Sequence, residues 1–367
     1  MKLKAAILGC GRISVKHIEA IVNNYEEIEL VALCDTEALH MEEKEKKYFE
    51  YLSKANINTE ANTQVKKYLD YKEMLQNEAL DLVAVATESG KHASMAIACL
   101  LSGAHVIVEK PMALSIEDAD LMIKTAREQN RKLAVCHQNR FNPPIQKLRK
   151  AIEGKKFGKL IHGVASIRWN RNDNYYQQAP WRGTWAQDGG TLMNQCIHNI
   201  DLLQWMLGDV DTIYAQTDTF LRNIEAEDCG VAVVRFKNGA LGIIEGTACV
   251  YPKNLEETLN IFGENGTVCI GGLAVNRIET WDFADIDMNI DNKLLTAEDP
   301  DTVYGAGHTP LFKDMIEAIK NDREPYITGE EGKKAMEIVL AIYQSNKTGQ
   351  VVKLPLGPVS TLNFNKI

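Results

Sequence analysis

The chain has 367 residues, 45% apolar and 25% charged, and its 41 Lys plus Arg against 50 Asp plus Glu give a formal net charge of −9. That balance describes a globular chain long enough for two domains and excludes disorder. It also excludes a general nucleic-acid binder, which needs a basic surface, and no apolar run approaches the roughly 20 residues of a membrane helix. In chain order, Lys4 to Leu8 predicts a buried strand, followed by a glycine turn. A helix follows over Arg12 to Asn24, with Ile13, His17, Ile18 and Ile21 on one side. Leu30 to Cys34 is a second strand and ends at Asp35. Leu82 to Ala86 is a strand, Lys91 to Ser102 a helix stopping at Gly103, and His105 to Val108 a strand followed by Glu109-Lys110-Pro111. Ser115 to Asn130 is a charged helix opened by a variant capping box of Ser115 and Asp118, and Leu133 to Cys136 is again a strand. Such alternation predicts a parallel, doubly wound α/β sheet with right-handed crossovers.

Residues 40–64 interrupt this rhythm. They read as a charged surface excursion whose Leu39, Tyr48, Phe49 and Leu52 can face inward from a helix, with a loop from Asn56 to Thr63. Beyond residue 160 the texture changes. Val164–Trp169, Val210–Thr219, Val231–Phe236, Ala240–Ala248, Thr258–Phe262 and Thr267–Ile270 are strand-like, and Lys237-Asn238-Gly239 and Gly263-Glu264-Asn265-Gly266 are hairpin signals. Helices over Pro143–Ala151 and Met193–Leu207 precede most of these strands, and helices over Thr309–Asn321 and Glu330–Thr348 follow them. The second part is therefore α+β with a large, mostly antiparallel sheet, and the division expected is 1–126 and 127–367. The N-terminus, MKLKAAILGCGRIS, runs straight into the glycine motif and is not read as a signal peptide. Eight scattered cysteines without CxxC spacing predict reduced, mostly buried thiols in a cytoplasmic protein, and with no HExxH the sequence offers no metal site.

Two motifs carry chemistry. Gly9-Cys10-Gly11-Arg12-Ile13-Ser14 lies between a predicted strand and helix, with Ser14 where a third glycine is usual. Asp35 ends the next strand, placed to accept a ribose diol and to repel a 2′-phosphate. The motif thus predicts a dinucleotide site that prefers NAD to NADP. Lys110 follows a strand at its carboxyl end, the ligand side of a doubly wound sheet. Gly189 to Asp201 (GGTLMNQCIHNID) begins with a bend and continues as a helix on which Asn194 and His198 share a face, with Asp201 placed to orient the imidazole or to cap locally.

Together GCGRIS at 9–14, VATESGKH at 85–92, EKP at 109–111 and GG…N…H..D at 189–201 resemble the Gfo/Idh/MocA oxidoreductases, over nearly the whole chain. Members pair an N-terminal Rossmann domain with a C-terminal domain on a large open sheet. The resemblance implies NAD as cofactor, with Lys110 and His198 beside the nicotinamide and the reacting carbinol and Asn194 as a third catalytic position. It implies cofactor contacts from Gly9, Gly11, Arg12, Ile13, Asp35, Thr87, Ser89, His92, Glu109, Lys110, Gln138, Trp181 and Arg182. Substrate contacts are implied for Lys110, Asn139, Arg140, Arg168, Asn170, Asn194, Gln195, His198 and His308. Most members carry Asp where this chain has Asn194. The stretch 168–205 with CHQNRFNPP at 136–144 resembles the branch that oxidises UDP-N-acetylglucosaminuronic acid at the sugar 3-position, which keeps an Asn-Gln pair there.

Arg140, Arg168, Arg171 and Arg182 suit the bidentate contacts that a carboxylate or pyrophosphate takes, against an acidic total charge. An ordinary lysine titrates near about 10.4, and burial beside a cationic nicotinamide would lower it toward a useful base, with His198 sharing the proton. The readings that compete with a sugar-nucleotide dehydrogenase are an inositol- or free-sugar dehydrogenase and a non-catalytic NAD-responsive regulator. Retention of both Lys110 and His198 argues against the regulator. The partners expected are a small molecule, with no nucleic acid or membrane, and further copies of the chain. An open sheet with one uncovered face predicts a dimer or tetramer.

Overall fold

A computed structural model describes residues 2–58, 64–284 and 305–365. They form two compact units. The first comprises Met1–Ala113, Glu117–Cys136 and His308–Gly332, the second Leu114–Ile116, His137–Gly307 and Lys333–Ile367.

The first unit carries β1 (Leu3–Leu8), β2 (Ile28–Cys34), β3 (Lys66–Tyr68), β4 (Leu82–Val85), β5 (His105–Val108) and β6 (Leu133–Val135). They form one parallel sheet in the order β3-β2-β1-β4-β5-β6. Its central strands are short and mostly apolar because helices cover both faces, so Ile7, Val83 and Ile107 are fully buried. The order reverses between β1 and β4, and at such a switch point a doubly wound sheet opens a crevice beyond its carboxyl ends. The crossovers are α1 (Ser14–Asn23), α2 (Ala38–Lys54), α3 (Tyr71–Asn77), α4 (His92–Leu101) and α5 (Ile116–Glu128).

The charged excursion is largely helix α2, which buries Met41, Tyr48 and Leu52 at helical spacing. Leu39 lies off that stripe and is 70% exposed, which corrects its expected inward role. The end of the expected loop, 59–63, lies outside the described residues. β3 and α3 carry little apolar sequence signal. β3 is a three-residue edge strand that only its pairing with β2 defines. The unit also takes in 127–136 and 308–332, on the far side of the division expected at 126. β6 completes the parallel sheet, and a helix over His308–Lys320 packs on α1, where Asn24 donates to the Thr309 carbonyl at 3.2 Å.

The second unit contains α6 (Pro143–Glu153), β7 (Leu160–Arg168), α7 (Asp173–Gln177), a π turn at Leu192–Cys196 and α8 (Ile197–Leu207). Its remaining strands are β8 (Val210–Asp218), β9 (Cys229–Phe236), β10 (Leu241–Thr247), β11 (Glu256–Gly263), β12 (Gly266–Gly271), β13 (Arg277–Phe283) and β14 (Val352–Lys353). The eight strands run β13-β12-β11-β7-β10-β9-β8-β14, antiparallel except for β7 with β10. Helix α8 packs against β7 so closely that a Cβ on Gly163 would lie 2.9 Å from Leu203 and Leu207. Side chains alternate along β7, so even-numbered positions face away from α8. On that other face Tyr214, Val233 and Ile243 are cross-strand neighbours, exposed by 43%, 56% and 46%. The helix over His308–Lys320 is α9 and that over Gly329–Thr348 is α10. Among the described residues no helix is long and apolar enough to cross a membrane.

Candidate active site

In the first unit the chain leaves β1 at Gly9, whose φ is +97°. A Cβ there would lie 2.5 Å from the Ala86 carbonyl oxygen, so glycine is required for the turn to pass against β4. At Gly11 a Cβ would meet nothing within 4 Å, which is the open approach a pyrophosphate needs. Ser14 stands at the third glycine position and donates to the Gly11 carbonyl at 2.7 Å, closing the turn onto α1. Arg12 is exposed and Ile13 half-buried beside it. The Asp35 carboxylate accepts the Cys10 N–H at 2.7 Å and the Glu37 N–H at 2.9 Å, with His40 Nδ1 at 3.3 Å. It therefore stands fixed at the end of β2. Thr87 Oγ1 is buried with no hydrogen-bond partner among the described residues, a polar atom that a bound dinucleotide would satisfy. These features fit NAD, and Gly9, Gly11, Asp35 and Thr87 are the groups that would hold it.

Other positions face inward. Ser89 is 5% exposed in a short turn before α4. His92 is buried, with Nδ1 2.8 Å from the Pro111 carbonyl and Nε2 3.1 Å from the Thr87 carbonyl, and burial lowers its pKa. Its imidazole lies between the β4 loop and the turn after Lys110, where it donates to one of the two carbonyls. Lys110 itself is half-buried, and Lys110–Pro111 is cis.

Glu109 also points inward. Its Oε1 lies 3.0 Å from His17 Nε2 and 3.1 Å from His308 Nε2, and its Oε2 accepts the Lys110 N–H at 3.3 Å. Burial acts to raise the Glu109 pKa, but hydrogen bonds from the two imidazoles outweigh it and hold the carboxyl well below its ordinary value. His308, expected at the substrate, is buried in this cluster instead, as is Glu109, expected at the cofactor. His17 and Cys136 complete the cluster, and no common spacing joins its four members because they are dispersed along the chain.

In the second unit the Gly189-Gly190 bend leads into the π turn. A Cβ on Gly190 would overlap the Glu227 carboxyl group. Glu227 accepts the Leu192 N–H at 2.7 Å and the Tyr343 hydroxyl at 3.2 Å, and so caps the start of the π turn. Burial pushes its pKa up to about 8. The π turn carries Asn194 and Gln195, and its wider winding displaces them from the regular helical face expected to join Asn194 with His198. The Asn194 amide nitrogen donates to Asp188, a buried carboxylate that also accepts the Gly183 N–H at 2.7 Å. Asn194 Oδ1 then accepts from Gln195 Nε2 at 3.0 Å, which also reaches Tyr175 Oη at 3.0 Å. Arg182 Nη1 donates to that same hydroxyl at 2.5 Å and stacks over Tyr175 and Trp181. One relay thus joins Asp188, Asn194, Gln195, Tyr175 and Arg182. It gives Asn194 a physical reason, because an aspartate there would face Asp188 as a second carboxylate at hydrogen-bonding distance.

His198, on α8, lies edge-on to His137 with ring centroids 6.2 Å apart. Asp201, expected to orient His198 or to cap locally, pairs with an arginine. Its carboxylate takes Arg140 two-pronged, at 2.8 Å from Nε and 2.6 Å from Nη2, and both side chains are 1% exposed. Arg140, expected at the substrate, is thus held by Asp201 in a buried ion pair. Gln138 and Asn139 are buried beside it, with Gln138 Oε1 unpartnered among the described residues. Arg168 is an even position of β7, so it stands on the sheet face away from α8, paired with Glu245 at 2.7 Å and with Glu256. That placement removes it from the His198 side within this unit. Asn170 donates to the Val250 carbonyl at 2.5 Å and its N–H meets Asn254, so its side chain braces a loop.

The comparisons with known proteins agree with this division. Residues 3–137 match the oxidoreductase family with an NAD-binding Rossmann fold, and residues 145–269 the GFO/IDH/MocA C-terminal domain. The WlbA dehydrogenase of Bordetella pertussis, solved with NADH and UDP-GlcNAcA, is 39% identical with a TM-score of 0.83, over 97% of this chain and 100% of that one. The WlbA dehydrogenase of Chromobacterium violaceum, solved with the same two ligands, is 35% identical with a TM-score of 0.86, over 97% of each chain. Myo-inositol 2-dehydrogenase of Thermotoga maritima is 25% identical over 96% of this chain and 98% of its own. The chain belongs to the Gfo/Idh/MocA family and is an NAD-dependent dehydrogenase acting on CH–OH groups.

Proposed function

We propose that the protein oxidises the 3-hydroxyl of UDP-N-acetylglucosaminuronic acid to the 3-keto sugar, with Lys110 and His198 as its acid–base groups. The observation that carries this reading is full-length similarity, at 39% and 35% identity, to two dehydrogenases solved with NADH and UDP-GlcNAcA. The Asn194-Gln195 pair, anchored by Asp188 and Tyr175, supports it.

When bound, NAD supplies the hydride acceptor. The residues of the chain do the remainder. Gly9 and Gly11 leave room for the pyrophosphate, and Asp35 takes the ribose hydroxyls. Lys110 is the group that would accept the proton of the sugar hydroxyl, and His198 is the second acid–base group. Asn194 and Gln195 offer neutral amides to the sugar, so they add no charge beside a uronate.

A free polyol or sugar is the second reading, favoured by the full-length relationship to an inositol dehydrogenase. A panel of UDP-GlcNAcA, UDP-GlcNAc, myo-inositol and free hexoses, followed by NADH absorbance, separates the two. UDP-GlcNAcA is expected to give the highest kcat/KM, and a free polyol as the best substrate would sink the sugar-nucleotide reading. Lys110→Met and His198→Asn are each expected to abolish turnover and keep NAD bound. Near wild-type turnover in either variant removes that residue from the chemistry.

A further inference from the structure

We propose that Glu109 is the positioning residue for Lys110. Its buried carboxylate, gripped by His17 and His308, fixes the backbone from which Lys110 departs and supplies the negative charge that sets that lysine's basicity. This rests on the reading of Lys110 as an acid–base group.

The geometry is specific. Glu109 is 6% exposed, and adjacent residues of an extended chain send their side chains to opposite sides. Glu109 is thus buried inside the unit while Lys110, the next residue, is half-buried. One carboxylate oxygen faces His17 Nε2 at 3.0 Å and His308 Nε2 at 3.1 Å, and the other holds the Lys110 N–H at 3.3 Å. The Cys136 thiol turns to the same carboxylate and stays protonated, since burial and Glu109 raise its pKa. The two imidazoles pack edge to face, 5.2 Å between centroids, and His17 leans in the same way on Phe312. His17 sits on α1, which starts at the dinucleotide turn, while His308 opens α9 and Cys136 follows β6. A single anion therefore joins the cofactor turn, the lysine strand and the supporting helix.

A metal ion is the other occupant these four residue types allow, and the surroundings disfavour it. Nδ1 of both His17 and His308 is buried without a partner among the described residues. A cation at Nε2 would force the N–H onto Nδ1, leaving two orphaned donors, whereas metal-bound histidines normally donate from that nitrogen. With Nε2–H donating to Glu109, each Nδ1 is only a bare acceptor.

The charge has a direct consequence. The Lys110 charge bears on His92 of α4 and on Cys136, and Lys16 of α1 bears on His308. Glu109 is an anion among them, and a buried anion acts strongly because little water screens it. It favours the ammonium form of Lys110. Without it the lysine loses its proton at lower pH.

The test is the pH profile of kcat for alcohol oxidation in wild type, Glu109→Gln and Glu109→Asp. Glu109→Gln is expected to keep KM for both substrates, to lower the plateau kcat and to move the acid limb down by roughly one pH unit, the effect of removing one nearby charge from a partly screened site. Glu109→Asp keeps the charge but withdraws it from both imidazoles. Its limb should stay in place while kcat falls. An unmoved limb in Glu109→Gln overturns the proposal, as does stoichiometric metal in the purified protein. If Glu109→Gln does not fold, Glu109→Asp decides, and an unchanged kcat overturns the positioning role. Lys110→Met separates the two readings. Turnover in that variant refutes Lys110 as the acid–base group, whereas an inactive Lys110→Met with an unmoved Glu109→Gln limb refutes only Glu109.

Discussion

Replacing Asp201 by asparagine discriminates between its two readings, as an orienter of the His198 imidazole and as the partner of Arg140. Both Arg140 contacts are short, 2.8 and 2.6 Å, both side chains are 1% exposed, and the guanidinium also lies 4.9 Å over the Trp205 ring. The asparagine would keep one acceptor oxygen and remove the charge, stranding a buried guanidinium. Breaking such a pair from one side costs about 3–5 kcal/mol, and the retained acceptor puts Asp201→Asn near about 3 kcal/mol. For a unit of this size that is a fall in Tm of about 6–12 °C. Calorimetry and urea titration measure it, with the midpoint moving and the m-value unchanged. The double variant Arg140→Met, Asp201→Leu removes both charges and should return to within about 2 kcal/mol of wild type. At a temperature where Asp201→Asn is folded, its KM for the sugar substrate should be unchanged. A loss under about 0.5 kcal/mol, or a double variant as unstable as the single one, would falsify the buried-pair argument.

Further outcomes follow from the same reasoning. Glu227 has a folded pKa of about 8 against an ordinary 4.5, so the folded chain holds a proton that the unfolded chain releases between those values. Unfolding free energy should therefore decline as pH rises from 4.5 to 8, by up to about 1.4 kcal/mol per pH unit, and level off above. Glu227→Gln keeps the acceptor for Leu192 and should flatten that decline in urea titrations across the range, and an identical slope in the variant would assign the effect elsewhere. Asp35→Asn keeps an acceptor for the Cys10 N–H and removes the charge facing the ribose. It should raise kcat/KM for NADP relative to NAD by about tenfold or more, and an unchanged ratio in steady-state assays would show that Asp35 does not set the preference. Val233→Lys puts a charge in the middle of the exposed sheet face and should lower the oligomeric state in sedimentation velocity. An unaltered state would mean that copies do not associate through that face.

Local sequence order was enough wherever one short segment contains the whole feature. β1, the glycine turn, α1 and Asp35 follow from an apolar run, a glycine spacing and an acidic strand end, because the phosphate turn is built within one crossover. The same holds for most of the sheet strands, whose alternation is set by one covered face and one open face. β3, β13 and β14 escaped notice because they are edge strands whose stability comes from a neighbour. The roles of individual charged residues were decided by folding. Arg140 and Arg168 look alike in the chain, yet Asp201 buries one and the pleat of β7 turns the other onto the open sheet face. His17, Glu109, Cys136 and His308 share no spacing and meet only because α1, β5, β6 and α9 converge. Local order specifies backbone conformation and which face is apolar. Which charge finds which partner depends on contacts between residues distant in the chain, and only a closed core brings them within hydrogen-bonding range.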